Sequence, residues 1–168
     1  MDLPAIVADM PTPEFILTLR EKIGTDLLWL PGVTGVVVDD AGRVLLVRRS
    51  DTLRWTLVTG CLDPGEQPAH GIVREILEET GVDAEVVRVL AVESTRLIEY
   101  PHGDLAQYMD VAFLCRALGG VAKVNDDESV DVRWHSPDEL PELPERQAGL
   151  IKRYLDGDDV AGAWFDRP

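Results

Sequence analysis

Glutamates at positions 75, 78 and 79 stand at i, i+3 and i+4, with a glutamate at 66 and an arginine at 74 close by. Residues three and four apart are neighbours on a helix surface, so like charges placed this way repel one another. Helix propensity gives no reason for such an arrangement. A hard divalent cation does: Mg²⁺ takes oxygen ligands, keeps part of its water shell, and usually binds through a few carboxylates together with substrate phosphates. The chemistry this cluster would support is metal-assisted attack of water at phosphorus. The plainer reading is a solvated acidic face in which Arg74 pairs with Glu78, an interaction of small weight.

A helix must position these groups. Pro68 suits a first helical position and Gly81 a C′ position, which predicts a helix between them. With Ile72 at zero and about 100° per residue, Ala69, Ile72, Val73, Ile76 and Thr80 fall within roughly 0–100°, the buried stripe. Glu75, Glu78 and Glu79 fall near about 300°, 240° and 340°, on another face. Gly71 leaves that face bare one turn before Glu75. It is either room for a metal-bound diphosphate or an ordinary helix glycine costing about 1 kcal/mol relative to alanine.

The remaining elements read as a scaffold around this helix. Residues 13–23 carry Phe15, Ile16, Leu19 and Ile23 at helical spacing and end at Gly24. Residues 32–38 and 43–49 are β-rich runs joined by Asp39-Asp40-Ala41-Gly42, which predicts a hairpin. A short strand over 55–59 leads into the loop 60–66. Residues 85–94, 107–117 and 130–135 are further strands, with the Pro101-His102-Gly103-Asp104 turn between the first two. Ser136-Pro137-Asp138-Glu139 resembles a helix N-terminus, and 145–155 is a last helix with Ala148, Ile151 and Leu155 on its apolar face. Helices on either side of a mixed sheet make an α/β sandwich.

The 168 residues suit one domain, divided as an N-terminal extension with a helix (1–30), a main domain (31–157) and a C-terminal tail (158–168). Asp and Glu number 31 against 16 Lys and Arg, for a net charge of −15, which argues against nucleic acid as a partner. Small phosphorylated ligands stay open if metal ions or local arginines offset the repulsion. No apolar run approaches the roughly 18–20 residues of a membrane span. The acidic start Met1-Asp2-Leu3-Pro4 does not resemble a secretory signal, and two cysteines are too few for a disulfide framework, which together predict a cytoplasmic protein.

Gly60, five residues, Glu66, seven residues, then Arg74-Glu75-Ile76-Leu77-Glu78-Glu79-Thr80-Gly81-Val82 resembles the Nudix box at every specified position. The resemblance implies a Nudix-type α/β/α sandwich with a mixed β-sheet, in its MutT-like or ADP-ribose pyrophosphatase-like branch. It implies a metal-dependent hydrolase that uses Mg²⁺ or Mn²⁺ to cleave the phosphoanhydride of a nucleoside diphosphate derivative. ADP-ribose or a related nucleotide sugar is the first choice. A nucleoside triphosphate, including an oxidised dNTP, is the alternative, and a non-catalytic nucleotide-sensing module is a third reading. Homodimers are common in this branch.

Carried onto this chain, the resemblance makes Glu78 and Glu79 metal ligands and Glu75 a ligand or the general base. Arg74 would hold a glutamate, Glu66 would brace the loop with Gly60 and Gly81, and the Thr59 carbonyl would be a further ligand. Relatives commonly read Leu-Pro-Gly-Gly where this chain has Leu57-Val58-Thr59-Gly60. An additional acid often comes from a later loop; Glu128 fits best by position, ahead of Glu93 and Glu99. Arg48 and Arg54, with Arg49 between them, are candidates to contact substrate phosphate. His70, His102 and His135 lack zinc-ligand spacing, Cys61 lacks a basic partner, and Trp164-Phe165 would dock on the body or on a second subunit.

Overall fold

The computed structural model describes residues 12–100, 102–157 and 162–165. The first residues discussed above, Pro101 and the rest of the tail lie outside them. Strand β1 (Leu28–Val38) is the spine of the fold. Along its whole length it pairs in parallel with β7 (Leu105–Gly120), from Leu28↔Ala106 to Val38↔Arg116. On its other edge it pairs antiparallel with β4 (Val58–Cys61), from Gly32↔Cys61 to Gly35↔Val58. Strand β5 (Val82–Ser94) lies antiparallel outside β7, and the two-residue β6 (Ile98–Glu99) pairs with the start of β7. Strand β2 (Val44–Arg49) runs between β8 (Ser129–His135) and the two-residue β3 (Trp55–Thr56).

The predicted hairpin forms at its turn only. Asp39 Oδ1 accepts the N–H groups of Ala41 (3.0 Å) and Arg43 (2.8 Å), and Gly42 takes a φ of 74°. Beyond that turn β1 and β2 share the single register pair Val38↔Val44, because β7 and β4 occupy the edges of β1.

Alternation along the strands divides the core. Val33, Val37, Leu45, Val47 and Val58 face α2 (Pro68–Thr80) through Ile72 and Ile76. Val36, Val44, Leu46 and Leu57 face α3 (Glu145–Leu155) through Leu150 and Ile151. Helix α1 (Glu14–Ile23) lies over Leu28 and Leu30, on the same face as α3. The fold is therefore the expected α/β/α sandwich on a mixed sheet. Among the described residues no helix is long and apolar enough to cross a membrane.

Three helix details differ from expectation. In α1, Leu19 is exposed, while Arg20 ties the helix to the β7 entry through Leu105 O (2.8 Å) and Asp104 (2.9 Å). In α3 the inward residues are Gln147, Leu150 and Ile151, while Ala148 and Leu155 are exposed. The phase is rotated because a polar residue, Gln147, occupies a core position: its Oε1 accepts the N–H of Leu57 at 2.8 Å. The residues 136–139 form only a 3₁₀ turn (Pro137–Glu139). Trp164 docks on the body: its N–H donates to Leu90 O (2.8 Å), its carbonyl accepts from Val92 N–H (3.0 Å), and Arg153 lies 4.3 Å from its ring centroid.

Beside Gln147, Arg146 donates to Glu93 (3.0 Å) and to Asp110, whose other oxygen accepts from Thr34 Oγ1 at 3.0 Å. Asp110 is 4% exposed, so these donors stand in for the water its carboxylate has lost. Removing one partner of a buried ion pair leaves the other uncompensated. Arg146→Met should cost about 3 kcal/mol in urea unfolding, the low end for a buried pair because Arg146 is partly exposed, and adding Asp110→Asn should recover part of that loss. Purely additive losses in the double variant would show that Asp110 does not rely on Arg146.

Candidate active site

The box folds as strand β4, a loop and helix α2. Pro68 opens α2 and Gly81 closes it at φ 68° and ψ 13°, where its N–H returns to Leu77 O at 2.9 Å. The left-handed conformation of Gly81 is one that side-chain-bearing residues rarely take. The C-terminal carbonyls of α2 are met by the loop that follows β7. Lys123 N–H reaches Thr80 O (3.0 Å), Asn125 N–H reaches Glu79 O (3.3 Å), and Asn125 Nδ2 reaches Leu77 O (3.2 Å) and Glu78 O (3.1 Å). This capping brings Asp126 and Glu128 to the end of α2 that carries the glutamates.

Arg74 organises the other side. Its Nε and Nη2 make a fork onto Glu66 at 2.8 and 2.9 Å, and its Nη1 donates to Glu75 and Glu78, both at 3.0 Å. A planar bidentate contact of this kind fixes geometry as well as charge. Glu66 in turn accepts the Asp63 N–H at 3.1 Å, which braces the loop. Arg74 holds the Glu66 carboxyl below its ordinary range.

The three box glutamates occupy three environments. Glu78 is largely exposed, Glu75 is half-buried, and Glu79 is only 5% exposed. Glu79 borders the apolar stripe, which explains its burial. Burial, reinforced by Glu128, Glu75 and Asp126, pushes the Glu79 carboxyl well above the usual carboxylate range. Burial also raises Glu75 to about 7, against the pull of Arg74. Glu128 and Asp126 are raised as well, chiefly by burial. Arg49, forked onto Asp51 at 2.9 and 2.8 Å, lies in the field of Glu128 and Glu79.

Two glycines fix the geometry. A Cβ on Gly60 would sit 2.3 Å from Cγ, Cδ and Oε1 of Glu75, so this glutamate lies directly over the strand. A Cβ on Gly71 would meet Leu62 Cδ2 at 2.3 Å and Glu66 Oε2 at 3.1 Å. Gly71 is thus neither room for a diphosphate nor an incidental glycine. It is the notch that lets the loop pack against α2.

The other candidates separate. Glu128 joins the acidic group, whereas Glu93 binds Arg146 on the opposite face of the sheet. Arg48 Nε donates to Leu53 O at 2.9 Å and holds the β2–β3 turn, where Leu53 takes a φ of 56°. Arg54 is exposed and lines a cavity of about 530 Å³ between that turn and the start of α3, with Trp55, Leu143 and Glu145. Burial pushes the Cys61 thiol up to about 11, the reverse of an activated nucleophile. Of the three arginines expected near phosphate, Arg49 is the one beside the acidic group, whereas Asn125 and Asp126 were not singled out; the Asn125-Asp126-Asp127-Glu128 run was the available signal.

Among the described residues no three acidic side chains already converge as an ion cage. Arg74 holds Glu75 and Glu78 to one side while Glu79 turns inward. The donor set still fits a hard divalent ion: clustered carboxylate oxygens, partly desolvated, at a helix C-terminus whose own dipole is negative. A family model described as the NUDIX domain matches residues 29–154. The chain is a Nudix hydrolase.

This Nudix hydrolase is 38% identical over 133 residues to a MutT-like protein of Streptomyces ambofaciens, covering 77% of each. It is 32% identical over 114 residues to a Bacillus subtilis (strain 168) protein named "Putative 8-oxo-dGTP diphosphatase", covering 68% of this chain and 71% of that one. Among solved structures it is similar to an ADP-ribose pyrophosphatase from Streptococcus suis, with a TM-score of 0.63, 26% identity, and coverage of 82% of this chain and 98% of that one. As a family member, the Nudix hydrolase is a pyrophosphohydrolase of nucleotide derivatives.

Gly60→Ala should displace Glu75 and lower turnover by about 10²-fold or more, the scale of a misplaced reacting group, with the circular dichroism of the fold retained. Wild-type turnover in that variant would show that the seat of Glu75 is unimportant. Glu79→Gln removes a buried carboxyl whose ionisation opposes folding. In EDTA at pH 7.5 it should melt no lower than wild type, and a drop in Tm would contradict the described environment.

Proposed function

We propose that this Nudix hydrolase cleaves the phosphoanhydride of a nucleoside diphosphate derivative, with ADP-ribose or a related nucleotide sugar first in order. Glu75, Glu78 and Glu79, with the Thr59 carbonyl and Glu128, would hold Mg²⁺ or Mn²⁺. The observation that carries this reading is the buried Glu79 carboxylate, crowded by Glu128, Glu75 and Asp126 and left without a fork of its own. A diphosphate brought to such a cluster is repelled unless cations intervene, by about 1 kcal/mol per charge pair at 4 Å in water and more in a cleft. The bound ion would supply that neutralisation and Lewis acidity at phosphorus.

The chain's own residues do the rest. Arg74 and Glu66 fix the loop, Gly60 admits Glu75 to the strand surface, and the Asn125 cap sets Glu128 against Glu79. Glu75 joins the ligand set or accepts the proton of the attacking water. Arg49, which lies in the field of Glu128 and Glu79, would meet an incoming phosphate, and Arg54, in the cavity beside the β2–β3 turn, would contact a more distant part of the substrate. With a net charge of −15, a small nucleotide suits the chain better than a nucleic-acid backbone. An oxidised nucleoside triphosphate is the second reading, favoured by the name of the Bacillus subtilis relative.

Incubating the protein with Mg²⁺ and a nucleotide panel separates these readings. ADP-ribose should yield AMP and ribose 5-phosphate, with EDTA abolishing the reaction. Preferential release of pyrophosphate from 8-oxo-dGTP would select the second reading. Glu79→Gln should lose about 10²–10³-fold in kcat, the scale of removing transition-state charge stabilisation. Wild-type rate in that variant at saturating Mg²⁺ would overturn the metal site.

A further inference from the structure

The strand that leads into the box changes partner at one residue. Trp55 and Thr56 pair with β2, Val58 to Cys61 pair with β1, and Leu57 between them belongs to neither ladder. Its side chain is fully buried, and its N–H, turned away from both neighbouring strands, is met by Gln147 Oε1 at 2.8 Å. Gln147 is itself 9% exposed. The adjacent Arg146 anchors the first turn of α3, on which Gln147 lies, to Asp110 on β7 and Glu93 on β5.

Hydrophobic patterning cannot choose the point of crossover here. Leu57 lies in the core beneath α3 and Val58 in the core beneath α2, so a strand shifted by one residue would still bury an apolar side chain on each face. The shift would be decisive for the site. It would place Thr59 or Cys61, rather than Gly60, beneath Glu75, where a Cβ stands 2.3 Å from the carboxyl group.

We propose that Gln147 is a positioning residue for hydrolysis: by accepting the Leu57 N–H it fixes the register of β4, and with it the Thr59 carbonyl and the seat of Glu75. This rests on the reading of the box as the metal site. It assigns a role to the opposite face of the sheet, where α3 acts on the site through one backbone bond.

Gln147→Leu keeps the volume and removes the acceptor; Gln147→Glu keeps an acceptor. In the full chain, amide exchange across 58–61 should quicken about tenfold in Gln147→Leu while β1–β7 amides keep their protection. Mn²⁺ affinity, read by electron paramagnetic resonance without substrate, should fall about tenfold, and kcat should fall by a similar factor with KM nearly unchanged, the usual scale for a residue supporting metal ligands. Gln147→Glu should stay within about threefold of wild type. If Gln147→Leu does not fold, Gln147→Asn, one methylene too short to reach, carries the same expectations. Unchanged exchange at 58–61, or quickened exchange with wild-type Mn²⁺ binding, would overturn the proposal. Wild-type protein that binds no Mn²⁺ would overturn the metal reading as well, a failure recognisable without any variant.

Discussion

Carboxylates crowded at the C-terminal half of one helix are the constraint to which the rest of the structure answers. Two such charges 4 Å apart repel by about 4 kcal/mol at an effective dielectric near 20, and the helix dipole adds to the penalty there. Arg74 commits its fork to Glu66 and one nitrogen to Glu75 and Glu78, so Glu79 is left among Glu128, Glu75 and Asp126 with Arg49 as its weaker opposing charge. Groups perturbed in this way cluster at functional sites, where something outside the chain can offset the cost in use. A hard divalent cation with a diphosphate matches that need in charge and in ligand type.

Accommodating this cluster makes demands on backbone placement that side-chain adjustment cannot meet. Glu75 requires a strand residue without a Cβ at position 60, and the loop requires a helix residue without one at position 71. Both are satisfied because β4 is clamped between β1 at its edge, α2 above and α3 below. The loop over 121–128 serves a double purpose: Asn125 donates to the Glu78 and Glu79 carbonyls at the helix end, and the same loop delivers Glu128. Scaffold and site are therefore built from the same hydrogen bonds.

Much of this was legible in local spacing. Pro68 and Gly81 delimited α2, the helical spacing placed the box glutamates on a face apart from the apolar stripe, and most strands fell where β-rich runs ended in turn residues. Long-range decisions were not legible. Nothing in residues 28–38 announces that they pair in parallel with 106–116, and that pairing reduced the expected hairpin to one rung. Helix α3 was phased on its apolar residues, but its inward face includes Gln147, whose burial is rational only once Leu57 lacks a ladder partner. Likewise Glu78 and Glu79 look equivalent by type and differ because one borders the apolar stripe.

The departure from the common Leu-Pro-Gly-Gly approach to the box can be judged in the same terms. Val58 supplies an N–H and a core side chain where proline would supply neither ladder donor nor equal packing, and it opens β4 opposite Gly35. Thr59 stands where the first glycine would be, but alternation points its side chain to the face away from Glu75. Only the second glycine, Gly60, lies beneath the carboxylate, and that one is kept. A carbonyl ligand asks nothing of the side chain it belongs to, so replacing the first glycine by threonine changes the loop's stiffness without removing an oxygen. The position that cannot vary is set by contact with Glu75. This gives the box glycine a steric cause independent of any pattern in which it occurs.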